Sequence, residues 1–394
     1  MNGKARLADN ARKTLKSLPR MVATLSCAGL LIGGLGVIAM QGLALILDDD
    51  TQKRVVHVFI ADLNGDGHQD VFMVTNQMHS IAFNDGTGKF TSSQELFMRK
   101  YALALGDLNG NGQLDAILMD FEHGEMGGEL MMECGEISSD YIFPVSTVDV
   151  PDQVFAIRDG NGDGIPEGFV ADCCGGGTTM MNYEFLPSDR HPCLGSDPPA
   201  AAALGDLNGD GSLDVFLAKG WMFVNGEPQS TTPNEVWFND GTGNFTDSGQ
   251  RLGNSQSFYA ALGDLNGDGF LDAVVGNRKG GEIWFNDGRG NFAKGSQSIG
   301  KGMTQTVFII DLDNDGDLDL FLGGDTSIRV WLNDGDRNFK SGQQIKFARY
   351  DAVAAGDVNA DGIPDIFVGG PDSYQVWRGE GNGHFSAESR SLYR

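Results

Sequence analysis

The chain has 394 residues, 54 of them acidic and 28 basic, for a formal net charge of −26. That balance excludes a nucleic-acid-binding surface, which needs a basic face against phosphate, but it leaves metal cations open as partners. A hydrophobic fraction of 40% excludes a disordered acidic chain, so the 57 glycines, twice the usual ~7% share, belong to a folded pattern.

Residues 1–20 form a basic segment, with Lys4, Arg6, Arg12, Lys13, Lys16 and Arg20 against Asp9. Residues 21–47 follow without a single charge, and Asp48, Asp49 and Asp50 come next. As a helix this run extends about 40 Å, enough to cross a ~30 Å hydrocarbon core with tilt. Basic residues before it and acidic residues after it place the N-terminus in the cytoplasm and the rest on the periplasmic or extracellular side. The competing reading is a cleaved signal peptide with Gly42, Leu43 and Ala44 as its small-residue site. Signal h-regions normally span only ~7–15 residues, so the uncleaved transmembrane anchor is preferred. The first 47 residues carry a net +5, which leaves −31 for residues 48–394.

From residue 52 to 394 the chain repeats one unit. Segments of the form D-x-N-x-D-G-x-x-D, or close to it, begin at Asp62, Asp107, Asp159, Asp206, Asp264, Asp311 and Asp357, spaced by 45, 52, 47, 58, 47 and 46 residues. A short apolar run precedes each segment and another follows, as in FYAALGD (258–264) and LDAVVG (271–276). A third run ends in a turn, as in VWFNDGTGNF (236–245), IWFNDGRGNF (283–292) and VWLNDGDRNF (330–339), and the aromatic after the turn begins a fourth. Asp-Gly turns between runs rich in Val, Ile, Phe and Trp are hairpin signals. Four short strands per unit, seven times over, predict an all-β, seven-bladed β-propeller preceded by one N-terminal transmembrane helix. Trp237, Trp284, Trp331 and Trp377 recur at one repeat position and read as blade packing.

The DLNGDGxxD loops and FNDGxGNF turns resemble the FG-GAP and VCBS-type repeats of integrin alpha-subunit propellers and of many exported bacterial proteins. The resemblance covers nearly all of 52–394 and implies calcium held between the first and second strands of each blade. The chain lacks the leg domains, inserted domain and C-terminal membrane helix of integrins, so integrin-like adhesion is not implied.

The loop chemistry agrees with calcium, which takes six to eight hard oxygen ligands. Positions one, three and five of a tight loop turn side-chain oxygens to one point, position seven adds a carbonyl and position nine closes the shell. Glycine at position six permits the sharp turn. The predicted side-chain ligands are Asp62, Asn64, Asp66 and Asp70 in the first loop, and Asp107, Asn109, Asn111 and Asp115 in the second. Asp159, Asn161, Asp163 and Glu167 serve the third, and Asp206, Asn208, Asp210 and Asp214 the fourth. The fifth has Asp264, Asn266, Asp268 and Asp272; the sixth Asp311, Asp313, Asp315 and Asp319; the seventh Asp357, Asn359, Asp361 and Asp365. An EF-hand would need Glu at position twelve, where Met73, Leu118, Val170, Leu217, Val275, Leu322 and Val368 stand instead. With four carboxylates the sixth loop is expected to bind most tightly, and with two the second least. The alternative for any loop is a metal-free Asx-turn.

The repeat breaks in the second, third and fourth units, at 121–143, 173–195 and 219–234. These segments carry Cys134, Cys173, Cys174 and Cys193, an even number that suggests two disulfides of open connectivity in an exported chain. The rival is a soft metal site using the thiolates with His191 or Met131, Met132, Met180 and Met181. Trp221, Met222 and Phe223 are candidates for an exposed contact surface, or for a displaced blade strand with buried side chains. Hydrolase, zincin, P-loop and dinucleotide signatures are absent, so no catalytic residue is assigned. The expected function is a membrane-anchored, calcium-binding module for an unknown protein or glycan, with up to seven Ca²⁺ and no nucleic acid. The alternatives are a polysaccharide lyase-like enzyme and a scaffold of a membrane complex.

Overall fold

The computed structural model describes residues 55–75, 79–96, 100–106, 115–120, 131–137, 142–149, 153–158, 167–171, 178–181, 194, 199–219, 222–224, 227–229, 232–324, 326–347, 350, 352–369 and 374–390. The basic segment and apolar run of residues 1–47 therefore lie outside the described residues. No helix occurs among those that are described, so none is long and apolar enough to cross a membrane.

The strands form antiparallel meanders, one per repeat unit. The first sheet joins Val55–Ala61, Asp70–Thr75, His79–Asn84 and Phe90–Leu96, and the second Lys100–Gly106, Asp115–Asp120, Met131–Ile137 and Ile142–Asp149. The third has three described strands, Gln153–Arg158, Glu167–Ala171 and Thr178–Met181. Ala201–Gly205, Asp214–Ala218, Glu235–Asn239 and Phe245–Asp247 build the fourth, and Ser257–Gly263, Asp272–Asn277, Gly280–Asn286 and Phe292–Ile299 the fifth. The sixth contains Thr306–Ile310, Asp319–Gly323, Ser327–Asn333 and Phe339–Lys346, the seventh Ala352–Gly356, Asp365–Gly369, Tyr374–Gly379 and Phe385–Arg390.

The arrangement is propeller-like. First strands neighbour one another: Ala201–Gly205 lies beside Ser257–Gly263, which lies beside Thr306–Ile310. Val55–Ala61 packs against Ala352–Gly356, so the two ends of the repeat region meet. Each sheet uses consecutive strands of its own unit, and the join is therefore made by packing: Val58 and Ile60 share a core with Ala352, Ala354 and Phe367.

Burial explains the strand sequences. Ala201–Gly205, Asp214–Ala218, Asp319–Gly323 and Asp365–Gly369 are buried at every residue, because sheets cover both of their faces; such strands read as unbroken apolar runs. The outer strands Phe292–Ile299 and Phe339–Lys346 expose most of their length and are correspondingly polar. Phe72, Phe216, Phe321 and Phe367 occupy one repeat position, two residues after each loop, and are at most 1% exposed. Each such side chain contributes about 1.5–3 kcal/mol of burial. The four recurrent tryptophans pack on or within the cores between sheets, as expected.

In the fourth unit, Met222–Val224 pairs with Glu227–Gln229 in a separate hairpin between the second and third strands of its sheet. This is an added hairpin rather than a displaced blade strand. Chain direction places it at the opposite end of the sheet from loop 206–213. Flanking it, Lys219 is 1% exposed and its Nζ stands 2.9 Å from Glu235 Oε2. Trp221 and segments 121–130 and 172–177 lie outside the described residues, as do Cys173, Cys174 and Cys193; Cys134 lies in strand Met131–Ile137.

Candidate metal centre

Each repeated acidic loop joins the first strand of a sheet to the second, and five are described: 62–70, 206–214, 264–272, 311–319 and 357–365. Most of the second and third loops (107–114 and 159–166) lie outside the described residues, while Asp115 and Glu167 open second strands.

The five loops share one backbone design. The carboxylate at position one accepts the N–H of position six in all of them, at 2.8–3.1 Å, from Gly67, Gly211, Gly269, Gly316 and Gly362. It also accepts the N–H of position four from Gly65, Gly209, Gly267 and Asn314 at 2.7–2.8 Å. The carboxylate at position five accepts the N–H of position seven, at 2.8–3.0 Å, from His68, Ser212, Phe270, Asp317 and Ile363. The glycine at position six has φ between 83° and 95° in all five loops, a region open to glycine at no steric cost. Position four is left-handed as well, and there Asn314 (φ 62°) and Ala360 (φ 57°) stand where other loops have glycine.

Position nine plays a different part from the other predicted ligands. Asp70, Asp214, Asp272, Asp319 and Asp365 are buried at 0–1% exposure. One oxygen accepts the N–H of loop position two, from Leu63, Leu207, Leu265, Leu312 and Val358. The other accepts a backbone N–H at the end of the third strand, from Asn84, Asn239, Asn286, Asn333 and Gly379. This carboxylate ties the loop to its own sheet. Burial pushes it up from the usual carboxylate value to about 6 in Asp70, Asp214, Asp272 and Asp365, and to about 7 in Asp319, against the lowering effect of the N–H donors.

The asparagine before each Asp-Gly turn has a structural role beyond its own turn at three of the described positions. Asn84 and Asn286 each accept two turn N–H groups through Oδ1, and Asn333 accepts that of Gly335. Through Nδ2 they donate to the preceding sheet's loop: Asn286 to Leu207 O at 2.8 Å, Asn333 to Leu265 O at 2.8 Å. Asn84 donates to Val358 O at 2.5 Å, joining the first sheet to the seventh. Its constant place before Asp-Gly was the available signal.

Among the five described loops the sixth has the strongest metal character. Carboxylate oxygens of Asp311, Asp313 and Asp315 lie within 4.8 Å of one another. Asp313 Oδ1 is buried without a hydrogen-bond partner. Burial, then the charges of Asp315 and Asp311, hold the Asp313 carboxyl above its ordinary value. Clustered hard oxygens with one uncompensated buried atom fit a calcium ion in kind and charge. In the first and fourth loops, by contrast, Asn64 Nδ2 and Asn208 Nδ2 donate to Asp66 and Asp210 and hold positions three and five together internally.

A family model described as FG-GAP-like repeat matches residues 62–118, 222–275, 264–321 and 311–368, together more than half of the chain. The chain belongs to the FG-GAP-like repeat family. No curated protein matches it. Among solved structures, BBS1N in complex with ARL6DN, soaked with mercury, is similar with a TM-score of 0.55 at 9% identity over 87% of this chain and 94% of that one. The lead-soaked crystal of the same complex gives 0.52 at 10% identity, over 86% and 92%. An Agrocybe aegerita lectin, described as recognising non-reducing terminal N-acetylglucosamine, gives 0.40 at 18% identity over 87% and 81%. At these identities the two BBS1N structures speak to the fold alone.

Proposed function

We propose that this FG-GAP repeat chain is an exported, calcium-stabilised seven-bladed propeller, anchored by residues 21–47, that serves as a binding module for a protein or a glycan. The observation that carries the reading is the one-sheet-per-unit architecture from Val55 to Arg390, which commits the repeat residues to packing and to loop construction. Function then falls to what departs from the repeat. The described departure is the hairpin Met222–Gln229, at the sheet end remote from the acidic loops. The segments at 121–130 and 172–177 hold the same place in chain order, between second and third strands.

Calcium, when bound, supplies cross-linking charge to the loops. In the sixth loop Asp311, Asp313 and Asp315 would hold it, with Asp319 fixing the loop to the sheet behind them. The test is capture of membrane and surface partners by the full chain, with calcium and with chelator, alongside a variant lacking residues 222–229. The reading expects a calcium-dependent partner or surface glycan that the deletion loses while the fold persists. Retention of every captured partner by the deletion variant would count against this face.

A further inference from the structure

The fifth and sixth sheets leave a cleft of about 230 Å³ between their outer parts. Ile283 and Phe285 give it apolar lining, and Lys294, Ser296, Gln297 and Arg337 supply the polar side chains. No acidic residue lines it, on a chain of net charge −26. A bulge opens the space: Glu282 pairs with Ser298 and Trp284 with Lys294, so residues 295–297 together oppose Ile283.

Arg337 sets this junction apart from its neighbours. It stands in its turn where the other turns hold Gly88, Gly243, Gly290 and Gly383, and it keeps a φ of 65° beside their 72–84°. An L-residue adopts that conformation only at a cost. At adjoining junctions the glycine lets Phe238 pack on Gly290 and Leu332 pack on Gly383. Here a guanidinium lies over the preceding sheet's aromatic ring, its central carbon 4.6 Å from the Phe285 centroid. The nearest carboxylate, Asp268, is 3.7 Å from Nη2, beyond hydrogen-bond distance, and the Arg337 side chain is 53% exposed. Lys294 pairs with Glu282 at 2.8 Å and keeps 50% exposure.

We propose that this cleft binds the carboxylate of one acidic sugar residue, a uronate. A guanidinium stacked on a ring is pre-organised to grip a carboxylate with two parallel hydrogen bonds. Lys294 adds a second positive charge, and half-buried Phe285 is the apolar surface left for the C–H face of a pyranose, Ile283 being buried. The volume falls below the ~300–1,000 Å³ of sites for drug-sized ligands, so one monosaccharide unit is the size that fits. The cleft is built from other sheets than the hairpin Met222–Gln229 and does not depend on that hairpin's role.

The test is calorimetric titration of the full chain, at constant calcium, with trigalacturonate, uncharged galactotriose and a polyglutamate peptide. Trigalacturonate is expected to bind and galactotriose not to. Arg337→Gly restores the residue the neighbouring turns use, so it should keep or raise the melting temperature while weakening trigalacturonate binding about tenfold or more, the loss of one charge-assisted pair. Lys294→Met should weaken it about threefold. The assignment is overturned by absence of trigalacturonate binding at millimolar concentration, by undiminished binding in Arg337→Gly, or by polyglutamate binding as tightly as the uronate.

Discussion

Each loop aspartate has a separate task, and the separation is visible atom by atom. Positions one and five collect loop N–H groups at the surface, whereas position nine is buried and spans two strands. Without metal, raised carboxyl values at position nine mean that the folded state holds protons more tightly than the unfolded one, whose carboxylates titrate near 3.9. That contribution to stability is fully present below the unfolded value and is lost as pH rises through about 6 to 7. In excess chelator the melting temperature should therefore climb as pH is lowered from 7.5 to 5. Calorimetry that finds a flat or falling midpoint over that range would refute the assignment of these groups. Ala360 supplies a second test at this scale. Its φ of 57° is paid by a side chain, so Ala360→Gly should stabilise by about 1 kcal/mol, roughly 2 °C in melting temperature. An unchanged or lowered midpoint would show that the loop relaxes around the alanine.

Sheets are joined to their neighbours by two recurrent side-chain devices as well as by apolar packing. One is the turn asparagine described above. The other is a glutamine on the outer strand or the segment after it, which grips the backbone at the start of the next sheet's outer strand. Gln297 pairs with both the N–H and the C=O of Phe339, Gln343 with those of Phe385, and Gln250 with Phe292 N–H and Gly290 O. Asn286 is buried and serves two sheets, so Asn286→Ala leaves the Leu207 and Leu271 carbonyls without that donor; it should cost about 2–3 kcal/mol in denaturant unfolding. Gln297→Ala, at a part-buried position, should cost less, about 1–2 kcal/mol. Equal costs would mean that the asparagine acts only within its own turn. The junction of first and seventh sheets has its own version, with Asn84 donating to Val358 O and Arg378 to Thr87 O at 3.1 Å.

For the whole molecule, charge and fold are coupled through the loops. Twenty-one of the 54 acids stand at predicted ligand positions in seven loops, and seven calcium ions would take residues 48–394 from −31 to −17. Chelation should therefore lower the melting temperature markedly, and a titration should fill the sixth loop first; an unchanged midpoint in excess chelator would remove calcium from the account. Much of this was legible in the chain. Seven acidic loops at near-even spacing specify repeating β-units, because each unit's turn residues and apolar runs act locally, within about 50 residues. The glycine at position six and the burial of Phe72, Phe216, Phe321 and Phe367 follow from the same local pattern. What the residue order could not show is which groups meet across units. Whether position nine faces the metal or the sheet depends on where the third strand's N–H falls, and the reach of Asn84 to Val358 depends on the two ends of the repeat region coming together. Likewise, Arg337 is an ordinary turn variant in the sequence; only the packing of the sixth sheet on the fifth puts its charge over Phe285. Local chemistry sets the unit, while contacts between residues 40 to 291 positions apart arise from side chains filling the space that neighbouring sheets leave.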